Sequence, residues 1–297
     1  IRYGANIGTL IAVYSLYIYI AQKYGLPEPP RTRMGTSGAA QVTNFSYAFH
    51  RAMGSFREPS HLAEWLVLPF FLSQMLKVKL FNWKAMLIGA VILLSGSLTG
   101  MMGILGGYAV GFLFNFRFKI SFLKAQANFL LPIVVGFIGF TFLVTGNEGG
   151  STDLFAVIAD RIGPMLEAGG DSGNRTYIVE YINANAIPVF GHGLGNSNLL
   201  FSKWLGISAT GSFLNLYVNL GYSIGYVGVV LLAIFLLFPL GYQVYRKQLG
   251  DGGIHLWGAY IAWLIMYFVH SEEFTFMFGF VYALLLVPPG VYKKKMA

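Results

Sequence analysis

Apolar runs long enough to cross a lipid bilayer recur along the sequence, and no other feature narrows the possible folds as much. A hydrocarbon core about 30 Å thick needs about 20 consecutive apolar residues in helical form. By that measure roughly eight spans are expected, near residues 4–22, 62–76, 85–99, 101–116, 126–145, 213–242, 254–270 and 274–291. The second and third are short, and the run 213–242 is longer than one span requires, so it is expected to tilt or to begin outside the bilayer. The expected fold class is therefore all-α: a polytopic transmembrane helix bundle that makes residues 1–297 one integral membrane domain. Composition agrees, since 56% of the residues are hydrophobic and only 11% charged, against about 25% charged in soluble domains.

The net charge of +8 follows the membrane and not a groove for nucleic acid. Lysine and arginine gather in cytoplasmic loops. If eight spans alternate, the clusters Lys77, Lys79 and Lys84, Arg117, Lys119 and Lys124, Arg246 and Lys247, and Lys293 to Lys295 all fall on one side. Asp251 is the only acid there. That side is read as cytoplasmic, with Arg2 and the C-terminus on it, and segments 23–61 and 146–212 as two long external loops. Ile1 leads almost directly into an apolar span with no signal-peptide pattern, so the natural N-terminus is expected to lie upstream. The absence of cysteine excludes disulfides and thiolate metal sites, and the five histidines lack metal-ligand spacing. No metal or other cofactor is implied.

The loop 146–212 reads as partly helical. Leu154, Phe155, Ile158, Ile162, Met165 and Leu166 recur at helical spacing after Ser151 and Thr152. Tyr177, Ile178, Tyr181 and Ile182 do the same between Asn174, a good N-cap, and the breakers Pro188 and Gly191. Two amphipathic helices at the external mouth are expected. In the fourth span Gly103, Gly107 and Gly111 form a small-residue face, better suited to packing within the chain than to dimerisation.

The other loop, 23–61, reverses the usual external depletion of basic residues, with Lys23, Arg31, Arg33, Arg51 and Arg57 against Glu28 and Glu58. Clustered guanidinium groups suit a phosphate or diphosphate, or else anionic headgroups. Arg175 stands at a helix start, where a cation opposes the macrodipole. Either it joins the free N–H groups there in an anion site, or it pairs with Asp171 or Glu180. The "GHGLG" at 191–195 has the wrong spacing for a dinucleotide loop. Gly191, Gly193 and Gly195 instead suit a tight turn or close approach to a sugar. His192 is either a base or an exposed loop histidine. Glu58, His61 and Glu64 lie at the external mouth of the second span, as functional groups or as solvated helix-end residues. His270, Glu272 and Glu273 read as a solvated turn.

Four stretches in order resemble the O-antigen ligase and Wzy-type O-antigen polymerase superfamily. "RAMGSFREPSHLAEWL" (51–66) resembles its arginine, G-x-F, P-N-x-x-A pattern before a span. "LLSGSLTGMMGILGG" (93–107) is similar to its T-G-S-R-G helix pair. "NRTYIVEYINANAIPVFGHGLGN" (174–196) resembles its R-x-x-x-[WL] helix followed by P-x-x-G-x-G, and "TGSFLNLYVNLGYSIGYVGVV" (210–230) the start of its long span. The family has more helices than are counted here, in line with an N-terminal part missing from the sequence.

The resemblance implies a metal-independent, inverting glycosyltransferase of GT-C-like architecture in the bacterial cytoplasmic membrane, with its active site on the external, periplasmic face. Its partners would be undecaprenyl-diphosphate-linked oligosaccharides as donor and acceptor, the lipid bilayer, and a chain-length regulator. The family's external arginines correspond to Arg51 and Arg175, expected to stabilise the diphosphate leaving group, while Glu180 or His192 would take the acceptor proton. Arg57, Glu58, His61, Tyr177, Gly191 and Gly193 would bind substrate. The histidine that ligases carry before the long span is replaced here by Thr210 or Gly211, and the arginine of S-R-G by Leu98. A polymerase is thus the better match, with a ligase acting on lipid A core or protein as the alternative. A non-enzymatic transporter or flippase of lipid-linked substrates is the rival from another class.

Overall fold

Every regular element among the described residues is an α-helix. The computed structural model describes residues 1–29, 51–56, 58–76, 82–114, 176–207, 213, 215–245, 253–268 and 276–287. The helices are α1 (Arg2–Tyr24), α2 (Pro59–Gln74), α3 (Trp83–Leu94), α4 (Leu98–Phe114), α5 (Thr176–Ala184), α6 (Asn196–Leu205), α7 (Leu216–Tyr245), α8 (Gly253–Met266) and α9 (Phe276–Leu286). Seven of the eight expected spans correspond to α1 to α4 and α7 to α9. The expected span at 126–145, the helix at 154–166, and Arg57 and Arg175 lie outside the described residues.

Only α1 and α7 are, among the described residues, long and apolar enough to cross a membrane. Helices α2, α3, α4, α8 and α9 have 16, 12, 17, 14 and 11 residues, short of the roughly 20 that a span uses. The chain divides into two compact units, one of residues 1–140, 248–266 and 277–297, the other of residues 141–247 and 267–276.

In the first unit α2 is the central helix. Its sequence is apolar around the whole circumference, as a fully surrounded helix requires, and it is buried almost throughout from Leu62 to Ser73. It touches α1, α3, α4 and α8. Pro69, inside α2, removes one backbone donor, and α1 meets its ring with Gly8, where a Cβ would lie 2.1 Å from the proline Cβ. Helix α1 turns small residues inward, including Ala5, Gly8, Thr9, Ala12 and Ser15. Its opposite face leaves Tyr3, Ile7, Leu10, Val13 and Tyr17 exposed. Helix α1 thus carries small side chains on its inner face and large apolar ones on its outer face.

Helices α4 and α8 approach closely through glycine. A Cβ on Gly107 would stand 2.2 Å from the Gly258 carbonyl oxygen, and one on Gly103 2.9 Å from Met266. The small face of the expected fourth span is thus used inside the chain, with Gly106 joining it against Ile265. Asn82 links two helices end to end: its Oδ1 accepts from the Ala85 N–H at the start of α3 (3.3 Å), and its Nδ2 donates to the Ser73 carbonyl at the end of α2 (2.6 Å).

The second unit is built around aromatic rings. Ile178 and Tyr181 from α5, Phe201 from α6, Phe213, and Tyr222 from α7 form its buried core. Phe213 stacks on Phe201 at 4.3 Å and on Tyr222 at 5.5 Å between centroids. Tyr181 meets Phe201, Phe213 and Tyr222 edge-on at 5.0 to 5.5 Å, the geometry that the ring quadrupole favours. Helix α7 is not continuous. Gly225, at φ 67° and ψ −175°, breaks it into a short inner part and a run of about 20 residues. The inner part carries Tyr222 into the core, whereas Val227, Val230, Leu231, Ile234, Leu237 and Phe238 of the outer part are exposed.

Candidate functional site

The break in α7 is filled by the glycine-rich loop that follows α5. Interrupting a helix strands carbonyls on one side and N–H groups on the other, and unpaired backbone groups are costly when buried. Residues 188–193 supply partners for both sides. The N–H groups of Tyr226 and Val227 donate to the carbonyls of Pro188 (3.1 Å) and Val189 (3.2 Å). On the other side, the N–H groups of His192 and Gly193 donate to the carbonyls of Tyr222 (2.8 Å) and Ser223 (2.9 Å). The two backbones cross where Gly191 meets Gly225: a Cβ on Gly225 would lie 2.3 Å from the Gly191 nitrogen, and one on Gly191 2.6 Å from the Gly225 nitrogen. Gly191 and Gly193, at φ 75° and 91°, are thus fixed by close backbone approach and left-handed geometry.

This arrangement mounts His192 firmly while leaving its side chain exposed. Its N–H is held by Tyr222 and its carbonyl accepts from the Asn196 side chain at 3.1 Å. Ser197 of α6 and Asn219 and Ser223 of α7 form a buried polar cluster. The Ser197 hydroxyl donates to Asn219 Oδ1 at 3.1 Å and shares a 2.6 Å hydrogen bond with the Ser223 hydroxyl. The Tyr222 hydroxyl reaches the Asn185 carbonyl beyond the end of α5 at 2.5 Å. Loop, α5, α6 and α7 are thereby tied together.

The helix expected around 177–182 is α5. It ends at Ala184, before Pro188, and buries Ile178 and Tyr181 as expected, while Ile182 is exposed. Tyr177 is half-buried and stacks on Phe201 at 5.7 Å, so one of its faces belongs to the core. Glu180 is exposed on the outer side of α5. Burial pushes the Tyr181 phenol up from its ordinary value through desolvation. Tyr177, Glu180, Gly191, His192 and Gly193 thus share the second unit.

Arg51, Glu58 and His61 belong to the first unit. The Arg51 guanidinium donates from Nε to the Ser95 carbonyl (2.7 Å) and from Nη2 to the Gly96 carbonyl (3.1 Å). It thus caps the C-terminus of α3, where a cation also complements the macrodipole. Next to it, the Ala52 N–H bonds the Leu94 carbonyl at 2.9 Å. Glu58 is exposed at the N-cap position of α2, with its carboxylate accepting from Ser60 at 3.3 Å. His61 is half-buried in the first turn, and Glu64 is buried one turn further on. Among the described residues no group of three His, Asp or Glu side chains converges as metal ligands would.

Sequence reasoning missed α6, the polar cluster of Ser197, Asn219 and Ser223, and the break at Gly225. The signals were present: Lys203 and Gly206 are C-terminal markers for α6, and Gly225 stands alone inside an apolar helical pattern. No family model, curated protein or solved structure matches the chain.

Proposed function

We propose that the chain is a polytopic glycosyltransferase of the bacterial cytoplasmic membrane that lengthens polyprenyl-diphosphate-linked glycans, as an O-antigen polymerase does. One observation carries the reading: the P-x-x-G-x-G segment is clamped into the break of α7, which fixes His192 at its tip. A base that must take a proton in a transition state gains from such a rigid mount. In the mechanism an acceptor hydroxyl attacks the anomeric carbon with inversion, and the bond to the diphosphate oxygen breaks. His192 or Glu180 takes the hydroxyl proton, while Arg175 stabilises the charge on the leaving diphosphate. Arg51 is the weaker of the two arginine candidates, because two of its donors already serve carbonyls of α3 and the turn after it. The exposed apolar faces of α1 and outer α7 support the membrane reading.

The test is incubation of the purified full chain with a polyprenyl-diphosphate oligosaccharide. Longer lipid-linked products are expected, and Arg175→Ala should slow their formation about 10²–10³-fold. Unchanged product lengths in that variant would remove the catalytic assignment, and transfer of glycan to lipid A core or protein instead would favour a ligase. The transporter reading draws on the broken helix, a usual feature of substrate sites in transporters. In such sites the broken ends face the ion or substrate, whereas four groups at this break are engaged by the loop.

A further inference from the structure

Helix α6 presents an apolar face outward as well as inward, unlike a helix on a water-soluble surface. Ser197, Phe201 and Ser202 point inward, and Leu199, Leu200, Lys203 and Trp204 are exposed. At 100° per residue these four fall within about 140° of arc, away from the inward set. Gly206 in the left-handed conformation ends the helix, the Ile207 N–H returns to the Ser202 carbonyl at 3.1 Å, and the Ile207 side chain is exposed just beyond the helix end. The loop before α6 adds Leu194 and Phe190, the latter 80% exposed. That loop is hydrogen-bonded at Val189 to Val227, near the start of the exposed apolar stripe of α7.

We propose that α6 and the loop before it dock into the surface of the bilayer that α7 crosses, with Phe190, Leu194, Leu199, Leu200, Trp204 and Ile207 entering the headgroup boundary. The inference rests on the membrane reading of α7 given above. Continuity with the α7 stripe picks out lipid as the occupant. Trp204 belongs to the residue type that collects at membrane interfaces, and Lys203 can lay its stem along the apolar face with its ammonium among anionic headgroups. A helix of this kind lies in the interfacial plane with its apolar face about 5–10 Å deep. Docking would hold Gly191, His192 and Gly193 at headgroup level, where a lipid-linked diphosphate presents its reacting bond.

The chain has no cysteine, so single-cysteine variants report one position each. Spin labels would be placed at Leu194, Leu200, Ile234 and the exposed Asn183 of α5 in the full chain, reconstituted in phosphatidylglycerol-containing liposomes. Collisions with oxygen and with a water-soluble nickel chelate would then be compared. The expected result is lipid-like accessibility at Leu194 and Leu200 at about 5–10 Å depth, deeper at Ile234, and aqueous at Asn183. Nickel accessibility at Leu194 and Leu200 equal to that at Asn183, with Ile234 still in lipid, would overturn the docking alone. If those two labels became shielded only on adding polyprenyl phosphate, the face would hold the substrate's tail instead, which also overturns the proposal. Nickel access at Ile234 would remove the membrane reading of α7 and the docking with it.

Discussion

A methyl group on Gly225 would stand 2.4 Å from the Val189 carbonyl oxygen as well as 2.3 Å from the Gly191 nitrogen. Both are backbone atoms of the clamped loop, and the Val189 carbonyl already accepts from Val227, so neither can yield as a side chain would. The φ and ψ of Gly225 also lie in a region open essentially only to glycine. Gly225→Ala should therefore lower stability by more than the roughly 1–3 kcal/mol of backbone strain alone. Gly241→Ala is the control: nothing lies within 4 Å of its added Cβ, and alanine in a helix is favoured by about 0.5–1 kcal/mol. Thermal unfolding of the two purified variants checks this, and equal midpoints would contradict the clamp. His192 behaves in the opposite way, since only its backbone is built in. His192→Ala should unfold within about 0.5 kcal/mol of the parent yet, if His192 is the base, slow transfer about 10²–10⁴-fold. Gly191 and Gly193 were legible in the sequence as a tight turn, because glycine spacing marks left-handed backbone. Their partner was not legible: that Gly225 crosses Gly191 is a contact between residues 34 positions apart, and local pattern holds no record of it.

Among the elements, α5 was legible because Tyr177, Ile178 and Tyr181 share one face and Pro188 stops the chain nearby. Helix α6 was obscured because its outward face is as apolar as its core face, which blurs the period that marks a helix buried on one side. Its position depends on Phe213, a fully buried ring outside any helix that stacks on both Phe201 and Tyr222. Phe213→Ala should cost about 3–5 kcal/mol and loosen α6 and inner α7 together. Chemical denaturation should therefore show one shifted transition for probes on the two helices. A shift confined to one would mean that the stack does not join them. In the first unit, Gly8 and Pro69 act as a pair. Gly8→Leu finds no space over the proline ring and should destabilise α1 against α2 by at least about 1–3 kcal/mol, whereas the same change at exposed Tyr3 should move the unfolding midpoint little. The expected spans foresaw both helices, but not that a proline in one faces a glycine in the other.

At the scale of the whole molecule, two independent properties agree. The distribution of lysine and arginine is the basis on which the sequence reading expects two sides, and the exposed apolar stripes of α1 and α7 emerge only from packing. A water-soluble protein would rarely leave contiguous apolar surface of that kind uncovered, and with eight alternating spans the expected inner loops hold a single acid, Asp251, of the 12 in the chain. Together they yield a prediction that does not depend on enzymatic activity. Single cysteines at Lys79, Lys119 and Lys294 should resist a membrane-impermeant thiol reagent added to intact cells, and cysteines at Ser37 and Gly150 should react. On opening the cells the first three should become reactive. The lengths of the helices set the alternative: α3, with 12 residues, spans only about 18 Å, so α3 and α4 could together enter and leave on one side. In that case Lys119 would lie on the same side as Lys79, as it also does if α3 and α4 each cross, so the turn between them decides. A cysteine at the partly exposed Leu98 that reacts from outside supports two separate crossings, and one that reacts only after opening the cells reduces the count of spans by two while leaving every basic cluster in place.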